Sequence, residues 1–253
     1  MKKLILFLFG LFLFSQNYLH AQKGKELVLG VGGAFTNVWI VNQNFYGEPE
    51  VDYAPKVGYG ANFMLGYNIT ESISIMTELQ YSLQGQKYDG KQNIGGTNYN
   101  VERNINLRYL NIPLFFKTSF GDKMTRFRFL IGPQVGILLE ATQDYTRDGK
   151  RLQTFVNDQN GKSFQTDATT IDERFEKTDF GIAFDVGADI HVSDQFFINA
   201  GFRGNYGFTD INAEPYQIDD IDGEYKPSHN LWGGFFVGIC YKIDIQGYSQ
   251  RSF

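Results

Sequence analysis

Apolar and polar residues alternate with a period of two along much of this chain. The segment Asp179–Val192, DFGIAFDVGADIHV, shows the pattern without a slip. Phe180, Ile182, Phe184, Val186, Ala188, Ile190 and Val192 form one side; Asp179, Gly181, Ala183, Asp185, Gly187, Asp189 and His191 form the other. A period of two predicts a strand. The same signal predicts strands over Leu27–Asn37, Val57–Tyr67, Ser72–Gln84, Asn104–Ser119, Arg126–Thr142, Gln195–Thr209 and Asn230–Ile243. No comparable helical period competes, so the chain reads as all-β with eight antiparallel strands.

The connections alternate in length. Asn68–Glu71, Phe120–Thr125 and Ser193–Asp194 are short, whereas Val38–Lys56, Gly85–Arg103, Gln143–Thr178 and Asp210–His229 are long. An even strand count with short turns at one end and long loops at the other predicts an up-and-down transmembrane β-barrel. The short turns then face the periplasm and the long loops the exterior. A soluble sandwich has no reason to gather its long loops at one end.

The polar face decides which side meets lipid. On Gln195–Thr209 it carries Asn199, Gly201, Arg203, Asn205 and Gly207. A solvent face would favour Lys, Glu and Thr, whereas small residues suit the crowded lumen of an eight-stranded barrel. Tyr67, Tyr81 and Tyr241 end the apolar face, as expected at a membrane interface. The apolar face is therefore expected to meet lipid. The alternative is a lipocalin-like soluble barrel with the faces inverted and an apolar ligand inside.

Composition changes this picture little. Twenty-eight Gly, six Pro and 16% aromatic residues suit a β-protein with many turns. A net charge of −5 argues against a nucleic-acid partner. The single Cys240 has no internal disulfide partner. At the start, Lys2 and Lys3 precede the apolar run Leu4–Phe14 and the small-residue site Leu19-His20-Ala21. This predicts a cleaved signal peptide over 1–21, a barrel domain over 22–246 and a short periplasmic tail over 247–253. No Cys follows the apolar run, so nothing points to a lipoprotein.

Parity places Glu78, Lys117, Arg126, Arg128, Glu140, Asp179, Asp185, Asp189, Arg203 and Lys242 in the lumen. Isolated charges there would be costly, so they should pair. A lumenal charge network of Glu78, Glu140, Asp185, Asp189, Arg203 and Lys242 is expected, acting as a salt-bridge plug; the alternative is a gated ion path. Joined around Ser193–Asp194 in the shortest register that keeps odd-numbered residues facing inward on both strands, the chain would pair Val192 with Phe196, Asp189 with Asn199 and Asp185 with Arg203.

Catalytic signals are thin. Ser228-His229 lies near Asp219, Asp220 and Asp222, but adjacent strand residues point opposite ways. DDIDGE within Asp210–His229 lacks the spacing of a calcium loop and reads as a solvated acidic segment. The turn signals RDGK (147–150) and DQNGK (158–162) suggest that Gln143–Thr178 extends the strands as a hairpin.

Two neighbouring strands carry a more specific pattern, LRYLNIPLFFK (107–117) and LIGPQVGILL (130–139). With Leu110, Ile112, Pro113, Leu114 and Lys117, then a short turn, then Gly132 and Pro133, the chain resembles the PorT-like outer-membrane β-barrel family of Gram-negative bacteria. That resemblance implies an outer-membrane barrel of about eight strands and a link to protein secretion. The residues also have their own reading. Ile105, Leu107 and Tyr109 are apolar at odd positions, and Leu110, Ile112, Leu114 and Phe116 at even ones. The slip predicts a β-bulge near Tyr109–Leu110, with Pro113 and Pro133 at a kink in the wall.

The sequence thus predicts a non-catalytic outer-membrane barrel with a structural or interaction role, without cofactor or metal. Its expected partners are outer-membrane lipid and lipopolysaccharide, together with an unidentified envelope or secretion protein. An enzyme or a narrow channel on the same barrel is the alternative.

Overall fold

The computed structural model describes residues 25–41, 51–151, 155–157, 163–165, 170–217, 219 and 223–245. The expected signal peptide and the C-terminal tail lie outside the described residues. Eight antiparallel strands form the wall: β1 (Glu26–Val41), β2 (Lys56–Asn68), β3 (Ile73–Ile94), β4 (Thr97–Gly121), β5 (Thr125–Arg147), β6 (Thr178–His191), β7 (Phe196–Gly207) and β8 (His229–Asp244). Each pairs with its chain neighbour, and β8 closes on β1 from Glu26↔Asp244 to Val41↔His229. The closed ring leaves no sheet edge through the wall. No helix among the described residues is long and apolar enough to cross a membrane.

The outer surface carries an apolar band. Val31, Phe63, Leu79, Leu114, Phe129, Phe184, Phe202 and Phe235 are exposed there, as expected for side chains turned toward lipid rather than a core. On β6 and β7 two aromatic rings cover outward glycines. Cβ atoms at Gly204 and Gly233 would lie 2.5 Å and 3.1 Å from the rings of Phe184 and Phe202.

Strand β4 corrects the expected bulge. Its inward residues are odd-numbered from Val101 through Leu107, Tyr109, Asn111, Phe115 and Lys117 to Ser119, without a slip. What changes at Tyr109–Leu110 is the outside medium. Below that point the outward residues are Leu110, Ile112, Leu114 and Phe116; above it they are Glu102, Asn104, Asn106 and Arg108. The strand leaves the lipid there, and its apolar residues move to the inside. The bulge lies across the ladder, in β5, where Leu139 is the extra residue between Tyr109↔Leu138 and Arg108↔Glu140.

The expected loop Gly85–Arg103 is instead the upper part of the β3–β4 hairpin, closed by Gly95 (φ 59°) and Gly96 (φ 85°). Positive φ at both turn positions matches the right-handed twist of the flanking strands, and glycine adopts it without steric cost. Outward side chains above the band are Lys87, Asp89 and Lys91, so the apolar period fades where water replaces lipid. The RDGK turn closes Arg147 onto Lys150 as expected. The segments Phe155–Asn157 and Ser163–Gln165 pair around DQNGK, whose turn lies outside the described residues.

Candidate functional site

The interior between β3 and β8 holds a chain of alternating charges. Arg203 on β7 directs Nη1 and Nη2 to the two carboxylate oxygens of Glu78, at 2.6 and 3.0 Å, and Nε to Asp185 Oδ2 at 3.0 Å. Arg128 on β5 meets the other oxygen of Asp185 at 2.9 Å and Asp189 at 3.5 Å. Lys117 on β4 pairs with Asp189, and Asn62 on β2 donates to Glu78. Three carboxylates thus face three cations in the order Glu78, Arg203, Asp185, Arg128, Asp189, Lys117. Matching charge is what makes their burial tolerable.

Register builds this chain. Val192 N donates to Phe196 O, so β6 and β7 align Asp185 with Arg203 and Asp189 with Asn199, as the turn length predicts. On the next interface Gly187 opposes Arg128, leaving room for its guanidinium to reach both aspartates. Aromatic rings flank the cations. Arg203 lies 3.9 Å from the Phe236 ring centroid and 5.4 Å from that of Phe115, an arrangement favourable to a desolvated guanidinium.

The arrangement closes the bore. Glu78, Arg128, Asp185, Arg203, Phe115 and Phe236 are each 2% exposed or less, so no water-sized path passes at this level. A second, apolar layer lies above it. Ile40, Tyr88, Ile105, Leu107, Tyr109, Leu138 and Ala141 from the wall pack with Ile171, Phe175 and Ile211 from the outer loops. These loops are bound to the wall and to each other: Ile171 N donates to Ala141 O, Glu176 N to Ile211 O and Ala213 N to Arg174 O.

Two expected members of the charge network lie elsewhere. Glu140 is on the outer surface, half-exposed and paired with Arg108, because the extra residue Leu139 inverts the parity of β5 beyond it. Lys242 is half-buried at the short-turn end of the lumen and enters no ion pair among the described residues. The cations that complete the chain are Arg128 and Lys117.

Of the motif residues, Leu110, Ile112 and Leu114 face outward, and Pro113 and Lys117 face inward. The β3–β4 ladder lapses at Ile112–Pro113, and the β4–β5 ladder lapses at Leu114–Phe115 opposite Gly132–Pro133. A Cβ at Gly132 would lie 1.8 Å from Leu114 O. The two prolines therefore sit at a real irregularity, and glycine is the residue that lets the backbones approach.

At the outer end Asp210 ties the acidic loop together. Its carboxylate accepts the Tyr225 hydroxyl and the backbone N–H groups of Asn212 (3.1 Å) and Ser228 (3.0 Å). Burial, reinforced by the Asp210 carboxylate, pushes the Tyr225 phenol above its ordinary range. Ser228 is fully buried and its hydroxyl accepts from Asn212, while His229 Nδ1 faces Thr209 O at 3.0 Å. The two side chains thus face different partners and form no nucleophile–base pair. No cluster of three or more metal-ligating side chains occurs among the described residues. Part of DDIDGE lies outside them.

The family described as outer membrane protein beta-barrel domain matches residues 14–213. Among solved structures, the chain is similar to Ail, the attachment invasion locus protein of Yersinia pestis, at 10% identity, covering 87% of this chain and 99% of that one with a TM-score of 0.41. It is similar to Neisserial surface protein A at 13% identity, covering 86% and 97% with a TM-score of 0.41. It is also similar to OprG from Pseudomonas aeruginosa at 8% identity, covering 87% and 97% with a TM-score of 0.44. No curated protein matches the chain.

Proposed function

This chain belongs to the outer membrane protein beta-barrel domain family and is a small outer-membrane β-barrel protein; from that premise we propose that its role is structural or interactive, neither catalytic nor conductive. The observation that carries this reading is the closed interior. A neutral six-group charge chain fills the bore, and an apolar layer seals it toward the outside. Eight strands leave little room beyond such a filling. What remains for contact is the outer band, facing lipid and lipopolysaccharide, and the folded sheet above it, facing a protein partner.

The Leu110–Leu114 pattern with Lys117, Gly132 and Pro133 supports a PorT-like affiliation and hence a partner in protein secretion. The same proposal takes residues 1–21 as a cleaved signal peptide, 22–246 as the barrel and 247–253 as a periplasmic tail. The test is planar-bilayer recording of the purified protein. Closed membranes at both polarities are expected. A reproducible ohmic conductance that disappears on replacing Glu78 would overturn the closed-barrel reading.

A further inference from the structure

At the periplasmic end of the lumen two cations and a histidine stand outside the charge chain. Glu78, Asp185 and Asp189 are already matched by Arg203, Arg128 and Lys117. Below them, Arg126 on β5, His191 on β6 and Lys242 on β8 all take inward positions and are all half-exposed. They surround one space: Lys242, Arg126, Lys117 and Asp189 all lie within electrostatic reach of the His191 ring. Asp189 is the one carboxylate among them. Glu26 and Asp244 oppose each other further out, at the rim, where Glu26 accepts from the Asn68 amide.

The donors in this space are incompletely used. Arg126 Nη2 makes two long hydrogen bonds, to Ser72 Oγ at 3.3 Å and Ser119 O at 3.4 Å. Its Nε and the His191 Nδ1 are buried with no hydrogen-bond partner. Lys242 enters no ion pair among the described residues. A buried guanidinium N–H without an acceptor costs free energy, and a cation beside it compounds the cost; His191 Nδ1 adds a second such donor in the tautomer that carries its proton. An oxyanion would satisfy both at once. A guanidinium offers the planar fork that suits a phosphate, and a neighbouring ammonium adds a point charge.

The roof of this space is closed. Phe197 packs against His191 at 5.2 Å between ring centroids, Lys117 Nζ lies over the Phe197 ring at 5.6 Å from its centroid, and the charge chain begins there. The space is therefore a blind vestibule open to the periplasm, suited to holding a ligand and not to passing one.

We propose that the periplasmic mouth is a phosphate-type oxyanion site formed by Arg126, His191 and Lys242, with Ser72 and Ser119 at its edge. The ligand is a free phosphate group or the headgroup phosphate of an inner-leaflet lipid. Holding such a group makes no demand on the closed-barrel reading and would survive its failure.

The test uses the full-length protein folded in uncharged detergent. Its thermal midpoint is followed while inorganic phosphate is titrated against chloride at equal ionic strength. Binding to the folded state alone raises the midpoint with ligand concentration. Wild type should respond to phosphate and not to chloride. Lys242→Gln, at the half-exposed mouth, should weaken the apparent affinity on the order of tenfold, the loss expected for one charge-assisted contact. Arg126→Gln should weaken it further, and failure of that variant to fold leaves Lys242→Gln to decide. A short-chain phosphatidylglycerol arm distinguishes sources: a response to the lipid at far lower concentration than to free phosphate assigns a headgroup. No response to either probe, or an equal response in Lys242→Gln, would overturn the proposal.

Discussion

Arg203 answers to two carboxylates; its removal leaves Glu78 without a cation among the described residues, while Asp185 keeps Arg128 at 2.9 Å. Arg203→Ala should destabilise the barrel on the order of 3–5 kcal/mol, the penalty of an unpaired buried charge. Asp185→Ala should cost less, because Arg203 keeps both bonds to Glu78. The double variant should fall short of the sum. Urea unfolding in liposomes, followed by the fluorescence of the tryptophans, measures all three. Additive losses would show that the two groups are not coupled. At this scale the sequence was legible wherever parity ran unbroken. Glu78, Asp185, Asp189 and Arg203 came together because alternation alone puts them inside, and the short turn Ser193–Gln195 fixes the β6–β7 register. Glu140 was misplaced by one residue. Ile137, Leu138 and Leu139 are consecutive apolar residues, and nothing in them marks Leu139 as the one without an opposite number. The pairing of Arg128 with Asp185 and Asp189 depends on how strands stack across the lumen, which a single strand's pattern does not encode.

Along a single element, hydrophobic phase reports on the surrounding medium as much as on backbone geometry. In β4 the apolar residues change sides at Tyr109–Leu110 while the backbone keeps its parity. Read in isolation, that change is indistinguishable from a bulge. Read against Leu83↔Arg108 on one side and Arg108↔Glu140 on the other, it marks the level at which three adjacent strands leave the lipid together. The same transition hid the upper β3–β4 hairpin, whose outward Lys87, Asp89 and Lys91 resemble a loop. The bulge itself is testable. Deleting Leu139 makes Arg108↔Glu140 follow Tyr109↔Leu138 directly, so the ladder runs on without a bulge and Glu140 stays outward against Arg108. Amide exchange should then stay protected on both sides of the deletion, over Phe127–Leu138 and over Glu140–Arg147. Loss of protection over Glu140–Arg147 would contradict the assignment of Leu139 as the residue without an opposite number.

For the molecule as a whole, eight strands enclose two different interiors stacked on one axis. Within the membrane the wall is apolar outside and the filling is charged. Above it the wall is polar outside and the filling is apolar, closed by Ile171, Phe175 and Ile211. The upper half obeys the rule for a soluble protein and the lower half inverts it, because hydrophobic burial and lipid contact reward opposite faces. The fold class was legible in the sequence, and so was the alternation of short and long connections except at Gly85–Arg103, which is paired strand closed by a two-residue turn. The outer apolar layer was not, since its loop residues follow no period and join the wall only in three dimensions. The measurement that bears most directly on this account is a fluorophore scan of β4 and β6 with a quencher confined to the lipid. The account predicts strong quenching at 110, 112, 114, 116 and 184, and none at 104, 106, 111, 115 or 185. Quenching that followed the odd positions of β4, or that reached 104 and 106 as readily as 114, would contradict it.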